Sequence, residues 1–147
     1  MSSGVILLVE DNAGDEELTL RALKKNHIAS EVVVVRDGAA ALDYLFVRGA
    51  YAARDRNEVP DVVLLDLNLP KVGGLDVLRA IRADERTKRL PVVILTSSKE
   101  DRDLFAGYDL GANSYIVKPV DFTQFADAVR QLGLYWLLLN QSPPTAP

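Results

Sequence analysis

Residues Asp61 to Pro70, DVVLLDLNLP, join four consecutive apolar residues, Val62, Val63, Leu64 and Leu65, to a carboxylate, Asp66, and a loop closed by proline. An unbroken apolar run, rather than an alternating one, suits a central parallel strand covered by helices on both faces. In open parallel α/β sheets the ligand crevice lies outside the carboxyl ends of the strands. Asp66 is therefore presented to an incoming molecule. An aspartate after a strand also commonly caps the next helix, so its role depends on what the other strands deliver to the same edge.

Working outward, Gly4 to Val9 reads as strand 1 and ends in Glu10, Asp11 and Asn12. Helix 1 follows from about Asp15, its expected N-cap, to Asn26, with Leu18, Ala22 and Leu23 on one apolar face. His27, the only histidine, lies just past it and receives no chemical role. Strand 2 is Glu31 to Val35, closed by Asp37-Gly38, and helix 2 runs to about Val47 with Ala41, Leu42, Leu45 and Phe46 inward. The next connection, Arg48 to Pro60, exceeds the usual length in α/β units; Arg48, Arg54 and Arg56 read as cations of a solvated loop. After strand 3, Gly73-Gly74 make a turn and Leu75, Val77, Leu78 and Ile81 stripe helix 3. Arg86, Lys88 and Arg89 decorate another solvated loop. Pro91 opens strand 4, VVILT, which ends on Thr96 and Ser97. Ser98 and Asp101 suggest a cap for helix 4, which carries Leu104, Phe105 and Tyr108 and stops near Gly111. Strand 5, Ser114 to Val117, runs into Lys118-Pro119. Helix 5 starts near Asp121 with Phe122, Phe125, Ala126, Val129 and Leu132 at core spacing.

The chain has 147 residues, 48% of them hydrophobic and 26% charged. With a mean hydropathy of +0.05, it has the profile of one soluble globular domain. The absence of cysteine excludes disulfides and thiolate metal sites, and suits a cytoplasmic setting. No run approaches membrane-spanning length, and the N-terminus lacks the basic region of a signal peptide. A net charge of -4 disfavours nucleic acid as a partner.

Alternating strands and helices with short links specify a doubly wound five-stranded parallel sheet with five helices. In the order 2-1-3-4-5, strands 1 and 3 are neighbours at the switch point, and Glu10, Asp11 and Asp66 converge. Three close carboxylates repel and raise one another's pKa unless a cation intervenes. Oxygen ligands without histidine or cysteine favour a hard ion, Mg²⁺ above Ca²⁺. Lys118, a point charge suited to phosphate, and the hydroxyl of Thr96 stand beside it. This is equipment for phosphoryl transfer, with Asp66 an already ionised nucleophile.

Paired acids Glu10-Asp11, strand-end Asp66, Thr96, Lys118-Pro119 and the aromatic Tyr115 resemble the receiver domain of two-component response regulators, a flavodoxin-like (CheY-like) fold, over about residues 4 to 133. The resemblance implies that Asp66 is the phosphoacceptor. It implies Mg²⁺ bound by Glu10, Asp11, Asp66 and the backbone carbonyl of Asn68, with Lys118 the phosphate partner, Thr96 the switch hydroxyl and Tyr115 the coupled switch aromatic. It also implies a cis Lys118-Pro119 peptide and a histidine kinase as phosphoryl donor. The wording DLNLPK, the long loop before strand 3 and the apolar C-terminus are similar to regulators that partner bacterial and cyanobacterial phytochrome kinases.

The domain is expected to span residues 1–140, with helix 5 extended through Gly133 into LYWLLLN and a disordered tail at 141–147. About 20 helical residues span about 30 Å, more than the 17 to 20 Å of a typical strand. The overhang is apolar all round, so a homodimer is expected through the face of helix 4, strand 5 and helix 5, including Leu134, Trp136, Leu137 and Leu138. Relay of the phosphoryl group and a phosphate sink are alternative outputs. An aspartate-nucleophile phosphatase is a rival, but it needs an acid where this chain has Asn68; the chain is read as a signalling protein and not a turnover enzyme. A flavodoxin-type cofactor carrier would be repelled by three acids. A DNA-binding output is not expected, since the chain ends in SPPTAP.

Overall fold

The computed structural model describes residues 4–25, 30–97 and 109–132. Strands β1 (Val5–Val9), β2 (Glu31–Val35), β3 (Val62–Asp66), β4 (Val92–Thr96) and β5 (Ser114–Val117) form one sheet. Every pairing is parallel, in the order β2-β1-β3-β4-β5, as expected. The described helices are α1 (Ala13–Lys25), α2 (Gly38–Leu45), a 3₁₀ turn at Gly49–Tyr51, α3 (Gly74–Ala83) and α4 (Phe122–Gln131). This α4 is the helix predicted as fifth. The predicted fourth helix at 98–108 and the apolar overhang with its tail at 133–147 lie outside the described residues.

Register explains how distant residues reach one edge. Val9 is level with Leu65, Asp66 with Leu95 and Thr96 with Val117. Glu10, Asp66, Thr96 and Lys118 consequently leave four adjacent strands at nearly the same height. The strands alternate sides, sending Ile6, Leu8, Leu64 and Leu95 toward α1 and α4, where they meet Ala22, Leu23, Phe125 and Val129. Leu7, Val9, Leu65 and Ile94 face Ala41 and Leu45 of α2 and Val77, Leu78 and Ile81 of α3. All five residues of β3 are buried. At about 1.5 to 3 kcal/mol for each fully buried aliphatic side chain, this double layer fixes the height of the edge.

Local readings needed correction. Asn12, not Asp15, caps α1: its side-chain oxygen accepts the Asp15 N–H at 2.9 Å and its carbonyl accepts the Glu16 N–H at 2.9 Å. Asp15 therefore occupies the third helical position. Leu18 is 41% exposed, and Thr19 joins Ala22 and Leu23 on the buried face. Asp37 caps α2 by accepting from Ala40 N–H at 2.7 Å. That helix ends at Leu45, before Val47, which takes a left-handed φ of 55°, a conformation disfavoured for a β-branched residue. Of the paired glycines only Gly74 is demanded by space, since a Cβ there would sit 2.3 Å from the Asp66 carbonyl oxygen. The α3 N-terminus thereby packs directly under the end of β3.

Most of the long connection is exposed, Arg48 included, as expected, but Arg54 is drawn inward. The Arg54 guanidinium lies 3.8 Å from the Tyr44 ring centroid and donates to the carbonyls of Tyr44 at 2.9 Å and Glu58 at 3.0 Å. Arg86 donates to the carbonyls of Leu45 and Arg56. Arg56 and Arg89 remain exposed, as expected. Hydropathy missed these half-buried arginines because a guanidinium can satisfy several carbonyls while its stem packs on apolar surface.

Candidate functional site

The loops at the carboxyl edge converge on Lys118. Its Nζ lies 2.8 Å from Asp66 Oδ2, 2.7 Å from Glu10 Oε1 and 3.1 Å from Asp15 Oδ2. Asp66 is 3% exposed and Glu10 fully buried, while Asp11 stands at the rim, exposed. One carboxylate oxygen from each of Glu10, Asp11 and Asp66 can be chosen so that all three lie within 4.8 Å of one another. The convergence predicted for the three acids is therefore observed.

Local backbone orients these groups. The second Asp66 oxygen, Oδ1, accepts the Asn68 N–H at 3.0 Å, and the second Glu10 oxygen accepts the Asn12 N–H at 3.3 Å. Both Asp66 oxygens are thus held by donors, with lone pairs to spare. The Lys118 N–H donates to the Thr96 carbonyl at 2.8 Å, which ties the lysine to the end of β4, and the Lys118-Pro119 peptide is cis. Thr96 is 1% exposed and Tyr115, on β5, is 39% exposed. Asn68 is exposed in the loop directly after Asp66.

Burial, then the neighbouring Asp66, push the Glu10 carboxyl up to about 7, with Lys118 opposing. Burial resists the charge on Lys118, but contacts with Asp66, Glu10 and Asp15 outweigh it and raise its pKa. The ammonium is a firm cation. One ammonium does not satisfy the acids around it. Although 2.7 Å separates it from Glu10 Oε1, the approach is off-axis, and that oxygen is buried without a directed hydrogen bond. An all-oxygen donor set with an under-satisfied buried oxygen fits a hard divalent cation.

Asp15 is the site residue that sequence reasoning missed, by assigning it to capping. The available signal was its position one helical turn past Asp11, on a helix whose N-terminus starts from the carboxyl edge. Among the described residues no helix is long and apolar enough to cross a membrane.

A family model described as "Response regulator receiver domain" matches residues 6–130. Among named relatives, the probable methanogenesis regulatory protein FilR2 of Methanothrix harundinacea is 42% identical, over 97% of this chain and 89% of its own length. Response regulator Rcp1 of Synechocystis sp. is 40% identical, over 90% of this chain and 88% of its own. Among solved structures, the bacteriophytochrome response regulator RtBRR superposes with a TM-score of 0.85 at 52% identity, covering 95% of this chain and 84% of the other. AtBRR, also a bacteriophytochrome response regulator, gives 0.83 at 55% identity, covering 93% and 97%. The Mn²⁺-bound form of Rcp1 gives 0.74 at 38% identity, covering 97% and 99%.

Proposed function

This chain belongs to the response regulator receiver family, and on that premise we propose that Asp66 accepts a phosphoryl group from a histidine kinase, with Mg²⁺ bound by Glu10, Asp11, Asp66 and the Asn68 carbonyl. The observation that carries the reading is the buried Asp66 carboxylate held 2.8 Å from Lys118 within an acid cluster. The manganese-bound relative supports a divalent ion in such a cluster. The two bacteriophytochrome regulators, each more than half identical in sequence, support a phytochrome-type kinase as donor.

An Asp66 oxygen attacks the phosphorus of a phosphohistidine. The new P–O bond forms as the P–N bond breaks, and the electron pair leaves on the imidazole nitrogen. A carboxylate nucleophile needs no general base. Lys118 is placed to pair with a phosphoryl oxygen, the neutralisation that phosphoryl transfer requires. Bound Mg²⁺ would neutralise the acids and the transferring oxygens. Asn68 in place of a second acid cannot relay protons to water, so the acyl phosphate persists as a signal in place of rapid turnover.

Phosphorylation adds about -1.5 to -2 of charge at Asp66. Thr96 is drawn toward it and Tyr115 turns into the space left behind, which changes the face of β5 and α4. That face carries a groove lined by Ser114, Tyr115, Gln124 and Asp127. It is the surface proposed for a homodimer, together with Leu134, Trp136, Leu137 and Leu138 beyond the described residues.

Intact mass after treatment with acetyl phosphate and Mg²⁺ tests the chemistry. One phosphoryl increment is expected on the parent and none on Asp66→Asn or in EDTA. Sedimentation of the same samples tests the dimer, and a lone monomer at micromolar concentration would exclude it.

A further inference from the structure

Asp15 has no capping duty, because Asn12 caps its helix, yet its carboxylate reaches Lys118 across 103 residues of sequence. Lys118 therefore faces three acids. Two of them, Glu10 and Asp66, belong to the cluster proposed as the metal site, and a divalent ion there would draw on the same carboxylates that the ammonium holds. The Lys118 side chain is only 10% exposed. If Glu10 and Asp66 turned to a metal without another partner available, the lysine would become a buried unpaired charge, which is costly. Asp15 lies outside the cluster and is 34% exposed. It can hold the lysine without spending a metal ligand.

Resting on the metal reading of Glu10, Asp11 and Asp66, we infer that Asp15 is a positioning residue: it gives Lys118 a partner of its own, so that Glu10 and Asp66 can be yielded to a divalent cation. The competing explanation is that the charge of Asp15 simply attracts the metal through space. The two differ in whether Lys118 is required.

The experiment is a double-mutant cycle, with Mg²⁺ alone titrated calorimetrically into the full chain at one pH and ionic strength. Asp15→Ala should weaken Mg²⁺ binding roughly tenfold, the lower end of what outer-shell partners contribute to metal affinity. Asp15→Glu should restore most of it. Lys118→Met should bind Mg²⁺ at least as tightly as the parent, because the competitor is gone. Adding Asp15→Ala to that background should then change affinity by no more than about twofold. An equal loss in both backgrounds, or none in the parent background, overturns the inference. Thermal unfolding checks that each variant is folded, and Lys118→Gln provides a second neutral background if Lys118→Met is not. If the parent takes up no Mg²⁺, or Asp11→Asn binds it as well as the parent does, the metal reading itself fails, a result distinct from additivity.

Discussion

At the carboxyl ends of the strands Lys118 is surrounded by carboxylates, at 2.7 Å from Glu10, 2.8 Å from Asp66 and 3.1 Å from Asp15. At the amino ends Arg82, Arg54 and Arg86 are surrounded by main-chain carbonyl oxygens. Arg82 alone donates to the carbonyls of Gly111 at 2.7 Å, Leu90 at 2.6 Å and Lys88 at 3.1 Å, and to the Asn113 side chain at 2.9 Å. The five fixed donors of a guanidinium suit several carbonyls at once, whereas an ammonium is a compact point charge. The amino end is neutralised by dipoles and has little reason to change. Around Lys118 three carboxylates share one ammonium, and a further cation or a covalent group can alter that balance. Structure is stored at one end of the sheet and chemistry at the other.

The sharpest way to break this contrast is Asp66→Asn. Phosphorylation should vanish by intact mass, while stability in EDTA, followed by urea unfolding, should hold or rise because a buried like-charge repulsion is relieved. A large loss of stability would mean that the acids are structural after all. The reverse pattern is expected for Arg82→Met, at the opposite end. Leaving its carbonyl acceptors unpaired should cost about 3 kcal/mol in urea unfolding, while the phosphorylated fraction in acetyl phosphate stays near the parent's.

A third test sharpens the comparison through pH. Because Glu10 is raised from 4.5 to about 7 in the folded chain, the folded state binds its proton more tightly than the unfolded state. Its contribution to stability is fully present below pH 4.5 and is lost as pH rises to about 7, a change of about 3 kcal/mol in metal-free protein. Mg²⁺ should flatten or invert that slope by binding the ionised form; identical slopes with and without Mg²⁺ would contradict the cluster's role. The smallest effect belongs to Asp37, a carboxylate beside the carboxyl edge that serves backbone. Its pKa is lowered chiefly by the Ala40 N–H, and Asp37→Ala should cost about 1 kcal/mol without touching phosphorylation.

Much of this was legible before any coordinates. The apolar run Val62–Leu65 specified a buried central strand, and the charged or hydroxyl residues at four strand ends specified where a ligand would meet the sheet. Apolar stripes located α2, α3 and α4 because a helix must bury one face. Capping was misread at α1, where Asn12 and Asp15 are both competent residue types and only backbone geometry selects between them. The half-buried arginines were misread for a related reason: their partners are carbonyl oxygens, which every residue carries and no sequence pattern marks.

By itself the sequence determined that the chain would form a parallel sheet with helices on both faces, and which residue types would stand at its carboxyl edge. Those are properties of apolar periodicity and of short-range order along the chain. Only tertiary structure decided that Glu10 is fully buried beside Asp66, that one lysine is shared among three acids, and that Asp15 is among them. Such facts depend on strand register and on close approaches such as that of Gly74 to the end of β3. They are distances between segments far apart in sequence, and these the packing of the whole domain sets.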